Sequence, residues 1–291
     1  MQRPRPVLRL AAPLAAALLA AAAPTLRATN GMNMEGYGPV ATAMGGASMA
    51  HDNGTAAVIN NPATLVLQTT DARLDVALGL LGPDITATAP NGASADSQAT
   101  AFFMPALGYT RRSGDLVYGL GVFGQGGMGC EYAEVSWRGL VFGLKNRPVV
   151  SGGGVIAPVA GRIRATLSVA ATVDFVWAGM DLQMAMPGAQ FMDLVDPTQQ
   201  HFGRASGAII QSFGQVMQQM PAGTSVDYAT FDFTNSSDFT GEACGRGIGA
   251  KLGLLYEPTP QLALGLTYHT RTALSDLKAP GNAIAFQLRV P

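Results

Sequence analysis

Few side chains in this sequence have the types and spacing that catalysis requires. His51, His201 and His269 are scattered along the chain, and neither a G-x-S-x-G elbow nor an H-E-x-x-H motif is present. No Ser, His and acid set stands out beyond chance, and a metal site would need clustered ligands. The sequence therefore predicts no enzyme, no cofactor and no metal site.

One glycine pattern matches a nucleotide-binding motif. Gly119, Gly121 and Gly124 fit G-x-G-x-x-G, but that motif requires a helix directly after the glycines. Here the glycines lie within a strand-like stretch, where glycine usually marks a bulge, a bend or a close backbone approach. We expect a kink at residues 119–127 of the third strand, and no dinucleotide site.

The composition favours contact with lipid. Charged residues make up 13% of the chain, against about 25% in ordinary soluble domains, and hydrophobic residues make up 48%. The formal net charge is −1 and the pI is about 6.3, so the basic patch that nucleic-acid binding needs is not visible. Nucleic acid is therefore excluded as a partner.

The N-terminus has the features of an export signal. Arg3, Arg5 and Arg9 precede an apolar core at residues 10–23, which is short for a spanning helix. We expect cleavage after Ala28, which makes residues 1–28 a signal peptide; an uncleaved anchor is the alternative. No later run of 18 apolar residues is free of interruption, so the mature chain is either a secreted β-protein or a transmembrane β-barrel.

Period-two alternation predicts an all-β protein. Leu74 and Val76 face one way in the first such stretch, and Arg73 and Asp75 face the other. The stretches are long enough to cross a membrane, which favours a transmembrane antiparallel β-barrel over a soluble sandwich with its apolar face inward. About eight strands are predicted, at 71–88, 98–111, 115–127, 149–160, 162–187, 243–257, 261–278 and 283–290.

The connections between these strands alternate in length, as in outer-membrane barrels. Tight turns are predicted at 112–115, 158–161 and 257–260, and long loops at 89–97, 127–148 and 188–243. The longest loop contains a predicted amphipathic helix at 203–220. Its apolar residues form either a lid packed on the barrel or an exposed groove for an apolar ligand: Phe191, Leu194, Ile209, Ile210, Phe213 and Met217.

The two cysteines, Cys130 and Cys244, fall at the outer ends of predicted strands. Export permits a disulfide, which would tie two long loops together, and two free thiols are the alternative. The charged residues on the predicted inner faces also leave two interpretations open, namely internal ion pairing and a contact with a ligand carboxylate. They include Arg73, Asp75, Asp174, Lys251 and His269.

Three segments together resemble the FadL-type outer-membrane transporters of long-chain fatty acids and other hydrophobic molecules. They are GYGPVATAMGGASMAHDNGTAAVINNPATL (36–65), TVDFVWAGMDLQMAM (172–186) and GIGAKLGLLYEPTPQLALGLTYHTRTALSDLKA (247–279). The resemblance implies a 14-stranded barrel with an N-terminal hatch at 29–70, in which Asn61, Pro62 and Ala63 take the hatch-motif positions.

The resemblance also implies a route and a location. A long-chain fatty acid or another apolar ligand would land in a groove among the outer loops, enter the lumen, and leave laterally beside the kinked third strand. The protein would be a monomer in the outer membrane of a Gram-negative bacterium, in contact with membrane lipid and lipopolysaccharide.

The chain departs from that family in its number of strands. Eight strands at 71–291 form only part of a 14-stranded barrel, and the sequence ends in Arg289, Val290 and Pro291. A terminal proline cannot donate to a sheet ladder. We therefore expect a C-terminally truncated member. The alternatives to transport are a structural or adhesive barrel and a non-functional gene fragment.

Overall fold

The computed structural model describes residues 34, 36–138, 143–196, 198, 205–235, 237, 240–279 and 283–291. The predicted signal peptide at residues 1–28 lies outside these residues. Across this described part of the chain, no helix has both the length and the hydropathy needed to cross a bilayer.

The protein is mostly β, as the alternation predicts. The helices are α1 (Gly38–Ala43), α2 (Gly188–Val195) and α3 (Ala208–Gln219), with 3₁₀ helices at Gly54–Val58 and Pro62–Leu67. The strands are β1 (Ala72–Leu81), β2 (Thr86–Thr88), β3 (Ser94–Asp96), β4 (Phe102–Ser113), β5 (Leu116–Gly129), β6 (Arg147–Arg164), β7 (Leu167–Pro187), β8 (Ser225–Phe233), β9 (Ala243–Thr259), β10 (Leu262–His269), β11 (Ala273–Leu274) and β12 (Ala283–Arg289).

The long strands form one antiparallel sheet in the order β1, β4, β5, β6, β7, β9 and β10, which we call the wall. The edge of β7 that faces away from β6 is shared by two partners. Its residues 167–180 pair with β9, and its residues 182–187 pair with β8, which in turn pairs with β12. The sheet forks at this point and is not closed into a barrel by the residues described.

The wall exposes its apolar face and buries its polar face, which is the reverse of a soluble sandwich. Val76 on β1 is 76% exposed and Phe175 on β7 is 54% exposed, whereas Ser168 and Thr172 on the other face of β7 are buried. A water-soluble sheet buries its apolar face because of the hydrophobic effect. Exposed apolar and covered polar faces are those of a lipid-facing barrel wall.

The polar face is covered by residues 36–70, which we call the inner segment. Its 3₁₀ helices contact β1, β4, β5, β6, β7 and β9. The core lies at this contact, where Val58, Ala63 and Leu65 of the inner segment pack with Phe123 of β5 and Leu255 of β9. The wall therefore curves around the inner segment, and the hydrophobic core is between the two.

Several predicted boundaries are wrong. The first strand ends at Leu81, and β2 and β3 form a separate hairpin beyond it. The predicted turn at 158–161 lies inside β6, and the chain turns at residues 165–166 instead. Pro158 suggests a turn in the sequence, but here it occupies a break between the Tyr118–Val159 and Gly121–Ile156 pairs, where no N–H donor is needed.

The predicted eighth wall strand at 283–290 is also wrong in its position. The strand exists as β12, but it pairs with β8 and not with β10. Strand β8 and helix α2 lie in what was predicted to be a loop with one helix. The predicted helix at 203–220 corresponds to α3, and residues 203–204 lie outside the described part of the chain.

Candidate functional site

The inner segment is held by amide side chains. Asn61 is fully buried, and its Nδ2 donates to the carbonyls of Met49 (2.6 Å) and Leu254 (3.0 Å). Its Oδ1 accepts from the N–H of Ala63 at 3.1 Å, which caps the second 3₁₀ helix, while Pro62 begins that helix without an unsatisfied donor. The Asn61-Pro62-Ala63 triplet thus ties the inner segment to itself and to β9.

A second asparagine holds the beginning of the inner segment. Asn60 Oδ1 accepts from the N–H of Tyr37 at 3.0 Å, and Asn60 Nδ2 donates to the Tyr37 carbonyl at 2.8 Å. The Tyr37 hydroxyl donates to the carbonyl of Gln125 on β5 at 2.5 Å. Burial raises the pKa of Tyr37, so the hydroxyl keeps the proton that it donates.

Ion pairs join the inner segment to β1. Arg73 contacts Asp52 at 3.1 Å and Asp75 at 2.9 Å. Asp75 also accepts from the N–H of Thr55 at 2.8 Å, and Asp52 accepts from the N–H of Gly54. These side chains are more than a third exposed, so the ion pairs themselves contribute little stability and are sensitive to salt.

Three wall glycines make room for the inner segment. A Cβ at Gly108 of β4 would lie 2.4 Å from the Thr55 side chain, and one at Gly265 of β10 would lie 1.7 Å from the carbonyl oxygen of Met49. A Cβ at Gly253 of β9 would lie 2.5 Å from Asn61 Oδ1. Glycine is required at these positions because atoms of the inner segment lie directly against the backbone of the wall.

Strand β5 is the irregular strand of the wall. Its pairing with β4 stops at the Ala106–Phe123 pair, although both strands continue. Its pairing with β6 shifts register between Gly124 and Gly126, which leaves Gln125 without a partner in that ladder. We call the unpaired region between residues 102–105 and 124–129 the seam.

The predicted kink residues take different positions relative to this seam. Gly119 lies within the break in the β5–β6 ladder and Gly121 is the first paired residue after it; a Cβ at Gly119 would lie 2.1 Å from the carbonyl oxygen of Tyr109. Gly124 is the last residue before the register shift, and a Cβ at this position would lie 3.6 Å from its nearest neighbour, Met104 Cα. Gly126, which also lies within the predicted irregular stretch at 119–127, has a φ of 149°.

The inner face of the wall also carries a buried ion pair. Lys251 of β9 donates to Asp174 of β7, and Thr172 donates to the second oxygen of the same carboxylate. Each charge is compensated by a partner, as burial requires. The geometry therefore supports internal pairing at this position and leaves no free charge for a ligand carboxylate.

The upper ends of the strands are joined by a buried carboxylate. Asp181 of β7 is 1% exposed and accepts from Arg147, Thr234 and the N–H groups of Asn235 and Glu242. Arg147 also contacts Glu131 at 3.3 Å. Lys145 lies 2.9 Å from the same Glu131, which raises the pKa of Lys145. This network links β6, β7 and the loop before β9.

The outer-loop helices enclose an aromatic cluster. The rings of Phe191 and Phe213 are 5.1 Å apart in a T-shaped arrangement, and Phe286 of β12 lies 4.9 Å from Phe191 and 4.7 Å from Phe213. Ile210 and Met217 pack against this cluster. These predicted groove residues therefore form a lid core, the first of the two interpretations that the sequence left open.

A groove does exist, on the other side of Phe213. It has a volume of about 340 Å³ and is lined by residues of α3 and β12. Of the six predicted residues, Ile209 and Phe213 line it, and Leu194 lies in neither the groove nor the cluster. The remaining lining residues were not predicted from the sequence: Ala208, Ser212, Val216, Phe286 and Leu288. The alternation at 284–288 could have indicated two of them, but it was assigned to the wall.

The predicted disulfide is not formed. Cys130 and Cys244 are free thiols. Cys130 follows β5 and Cys244 lies on β9, with β6 and β7 between them. Three strand spacings amount to about 14 Å, well beyond the Cα separation that a disulfide spans. Within the described residues, no group of three His, Cys, Asp or Glu side chains could hold a metal ion.

The fold and the sequence match a family of transport proteins. The family described as outer membrane protein transport protein (OMPP1/FadL/TodX) matches residues 14–283. A short region is 47% identical over 75 residues to an uncharacterized protein encoded beside a phosphoenolpyruvate carboxykinase gene in Chlorobium limicola, and it covers 25% of this chain and 36% of that protein.

Solved structures of hydrocarbon transporters share the fold. The Pseudomonas putida toluene transporter TodX aligns with a TM-score of 0.70 and 26% identity, over 88% of this chain and 62% of TodX. The Ralstonia pickettii toluene transporter TbuX aligns with a TM-score of 0.66 and 28% identity, over 88% of this chain and 64% of TbuX.

The monoaromatic hydrocarbon channel CymD aligns with a TM-score of 0.60 at 22% identity, which shows the fold alone. The chain spans about three fifths of the length of these solved relatives. Because the family match covers most of the chain, and the wall and inner segment have the arrangement expected of it, this chain belongs to the OMPP1/FadL/TodX family of outer-membrane transport proteins from Gram-negative bacteria.

Proposed function

We propose that this protein takes up small apolar molecules, with neutral aromatic hydrocarbons as the preferred class. The observation that carries this proposal is the groove between α3 and β12. Its lining is apolar except for Ser212, and the rings of Phe213 and Phe286 border it. Aromatic side chains favour aromatic ligands through offset or edge contacts between the rings.

Long-chain fatty acids are the second candidate, favoured by the family relationship. A fatty acid carboxylate is recognised best by a charged donor. None of the groove-lining side chains is charged, and Lys251 and Arg147 in the described structure already pair with carboxylates. The groove therefore suits a neutral ligand better than an ionised one.

The rest of the proposed route follows the wall. The inner segment acts as a hatch, with Asn61, Pro62 and Ala63 as its gate, and the ligand leaves sideways into the membrane at the seam on β5. What supports this route is the unpaired stretch of β5, since a lateral exit must pass between strands that are not hydrogen-bonded to each other.

The experiment is uptake of radiolabelled toluene by cells that carry the protein, with a charge introduced into the groove. Ile209→Asp places a carboxylate in the groove, and we expect uptake at limiting toluene to fall by roughly tenfold, because apolar contact is lost and a charge is added. Gln215→Asp is the matched control, since it adds the same charge to an exposed position of α3 that does not line the groove.

Equal uptake by the two variants would contradict the assignment of the groove. A photoactivatable aromatic probe separates transport from a structural or adhesive role. Labelling at α3 or on the inner face of the wall supports transport. Labelling confined to the lipid-facing side chains would support a barrel that does not transport.

A further inference from the structure

We infer that Tyr37 is a positioning residue that keeps the seam on β5 closed while the inner segment is seated. The inference rests on the proposed function, because the seam matters only if ligand passes through it. It begins with the hydrogen-bond requirements of Gln125, the residue that the register shift leaves without a ladder partner.

The carbonyl of Gln125 has an unusual position for a strand in a membrane wall. The pairing of β5 with β4 has already ended at Phe123, and the pairing of β5 with β6 skips Gln125. An unpaired carbonyl in a lipid-facing wall is costly, since no water is available in the hydrocarbon region to replace the lost partner. The Tyr37 hydroxyl supplies the missing donor at 2.5 Å.

The donor can reach this carbonyl only while the inner segment is in place. Asn60 fixes the Tyr37 backbone on both its N–H and its carbonyl. The next residue, Asn61, is held by the carbonyl of Leu254 on β9. An unbroken series of contacts therefore runs from the gate triplet to the seam, and displacement of the triplet withdraws the hydroxyl from Gln125.

The side chain of Gln125 lies against β6. A Cβ at Gly154 of β6 would lie 2.8 Å from Gln125 Nε2, so the glycine leaves space for that amide against the wall. The bulge thus stays attached to β6 through this packing, and the edge facing β4 is the one that Tyr37 completes. Loss of the hydroxyl should loosen the seated state without removing the bulge.

The test measures exposure of the core behind the inner segment. The background is a variant in which Cys130 and Cys244 are replaced by serine. In that background, Val58→Cys places a single buried thiol in the first 3₁₀ helix. In isolated outer membranes, Tyr37→Phe should raise the rate of maleimide labelling of this thiol about fivefold. Loss of one hydrogen bond changes the equilibrium between the seated and displaced inner segment by about this factor, and the thiol reacts only in the displaced state. Tyr118→Phe, on the exposed face of β5, is the matched control and should leave the rate unchanged.

A double-mutant cycle distinguishes positioning from general loosening. Asn60→Ala should raise the labelling rate by itself, and Tyr37→Phe should then add much less than fivefold, because the ring is no longer held beside Gln125. Effects that simply multiply would overturn the inference. An unchanged rate in Tyr37→Phe would also overturn it.

Labelling requires no ligand, so it separates this inference from the proposed function. If Tyr37→Phe raises labelling while toluene uptake stays at the level of membranes without the protein, the seam contact stands and the proposed transport fails. If toluene is taken up but labelling does not respond to Tyr37→Phe, transport stands and the role of Tyr37 is refuted.

Discussion

Gly253 of β9 leaves the space that the Asn61-Pro62-Ala63 triplet occupies, and filling that space is a direct test of how the inner segment is held. In Gly253→Ala the new Cβ would lie 2.5 Å from Asn61 Oδ1, 2.9 Å from the backbone nitrogen of Ala63 and 3.1 Å from Pro62 Cδ. The triplet is fully buried, and two of its contact atoms belong to a capped turn. The turn must therefore move away from β9 as a unit.

The cost follows from the hydrogen bonds that this movement breaks. Asn61 would lose its bonds to the carbonyls of Leu254 and Met49, which lie outside the turn, each worth about 1 kcal/mol. A buried group left without a partner adds about 1–2 kcal/mol more. The total is about 3–4 kcal/mol against the seated state, which corresponds to a change of at least about 100-fold in its opening equilibrium.

Hydrogen exchange followed by mass spectrometry measures this opening. In Gly253→Ala we expect residues 53–66 to exchange at least about 100-fold faster, while peptides from β6 and β7 keep their protection. Gly79→Ala is the matched control, because it adds a Cβ to a wall glycine whose nearest neighbour would be 3.5 Å away. If both variants exchange alike at 53–66, the close approach at Gly253 does not hold the inner segment and the reasoning is wrong.

Three further predictions concern other contacts. Arg73→Gln should speed exchange at the N–H groups of residues 54–55 only a few-fold at low salt, and the difference from wild type should shrink in 1 M salt, because its ion pairs are exposed. Asp181→Asn should deprotect residues 240–242 strongly and lower the thermal midpoint, since removing one partner of a buried ion pair costs about 3–5 kcal/mol. Unreduced protein should take up two alkylating groups, at Cys130 and Cys244, with no change in gel mobility on reduction; a single shifted species would contradict the separation of these residues across the sheet.

The sequence predicted the wall well because one physical rule governs it. Successive strand residues face opposite sides, so Leu74 and Val76 had to lie opposite Arg73 and Asp75. The composition then indicated which face meets lipid. Tight turns at 112–115 and 257–260 were placed within a residue or two, because those segments interrupt the alternation. The prediction at Pro158 failed because a proline can also sit at a gap in a ladder.

The contacts of the site could be predicted only in part. The Asn61-Pro62-Ala63 triplet was recognisable from its residues. Its contact site at Gly253, however, is formed by a strand nearly 200 positions away in the sequence. Tyr37 was missed for the same reason, since nothing near it in the chain indicates Gln125. The fork of β7 and the position of β12 depend on which strands pair with each other. The alternation of apolar and polar residues shows which face a side chain takes, but it does not identify the partner strand.

The distribution of breaks in the wall determines where it can open. The β1–β4 and β7–β9 ladders run from end to end without a register shift. On β5, by contrast, one ladder ends early and the other is both broken and shifted. Separating any continuous pair would expose backbone groups to lipid at several kcal/mol each, whereas the seam has few ladder bonds left to lose. Deformation should therefore concentrate at β5, where we propose that the contacts supplied by the inner segment set most of the cost of opening.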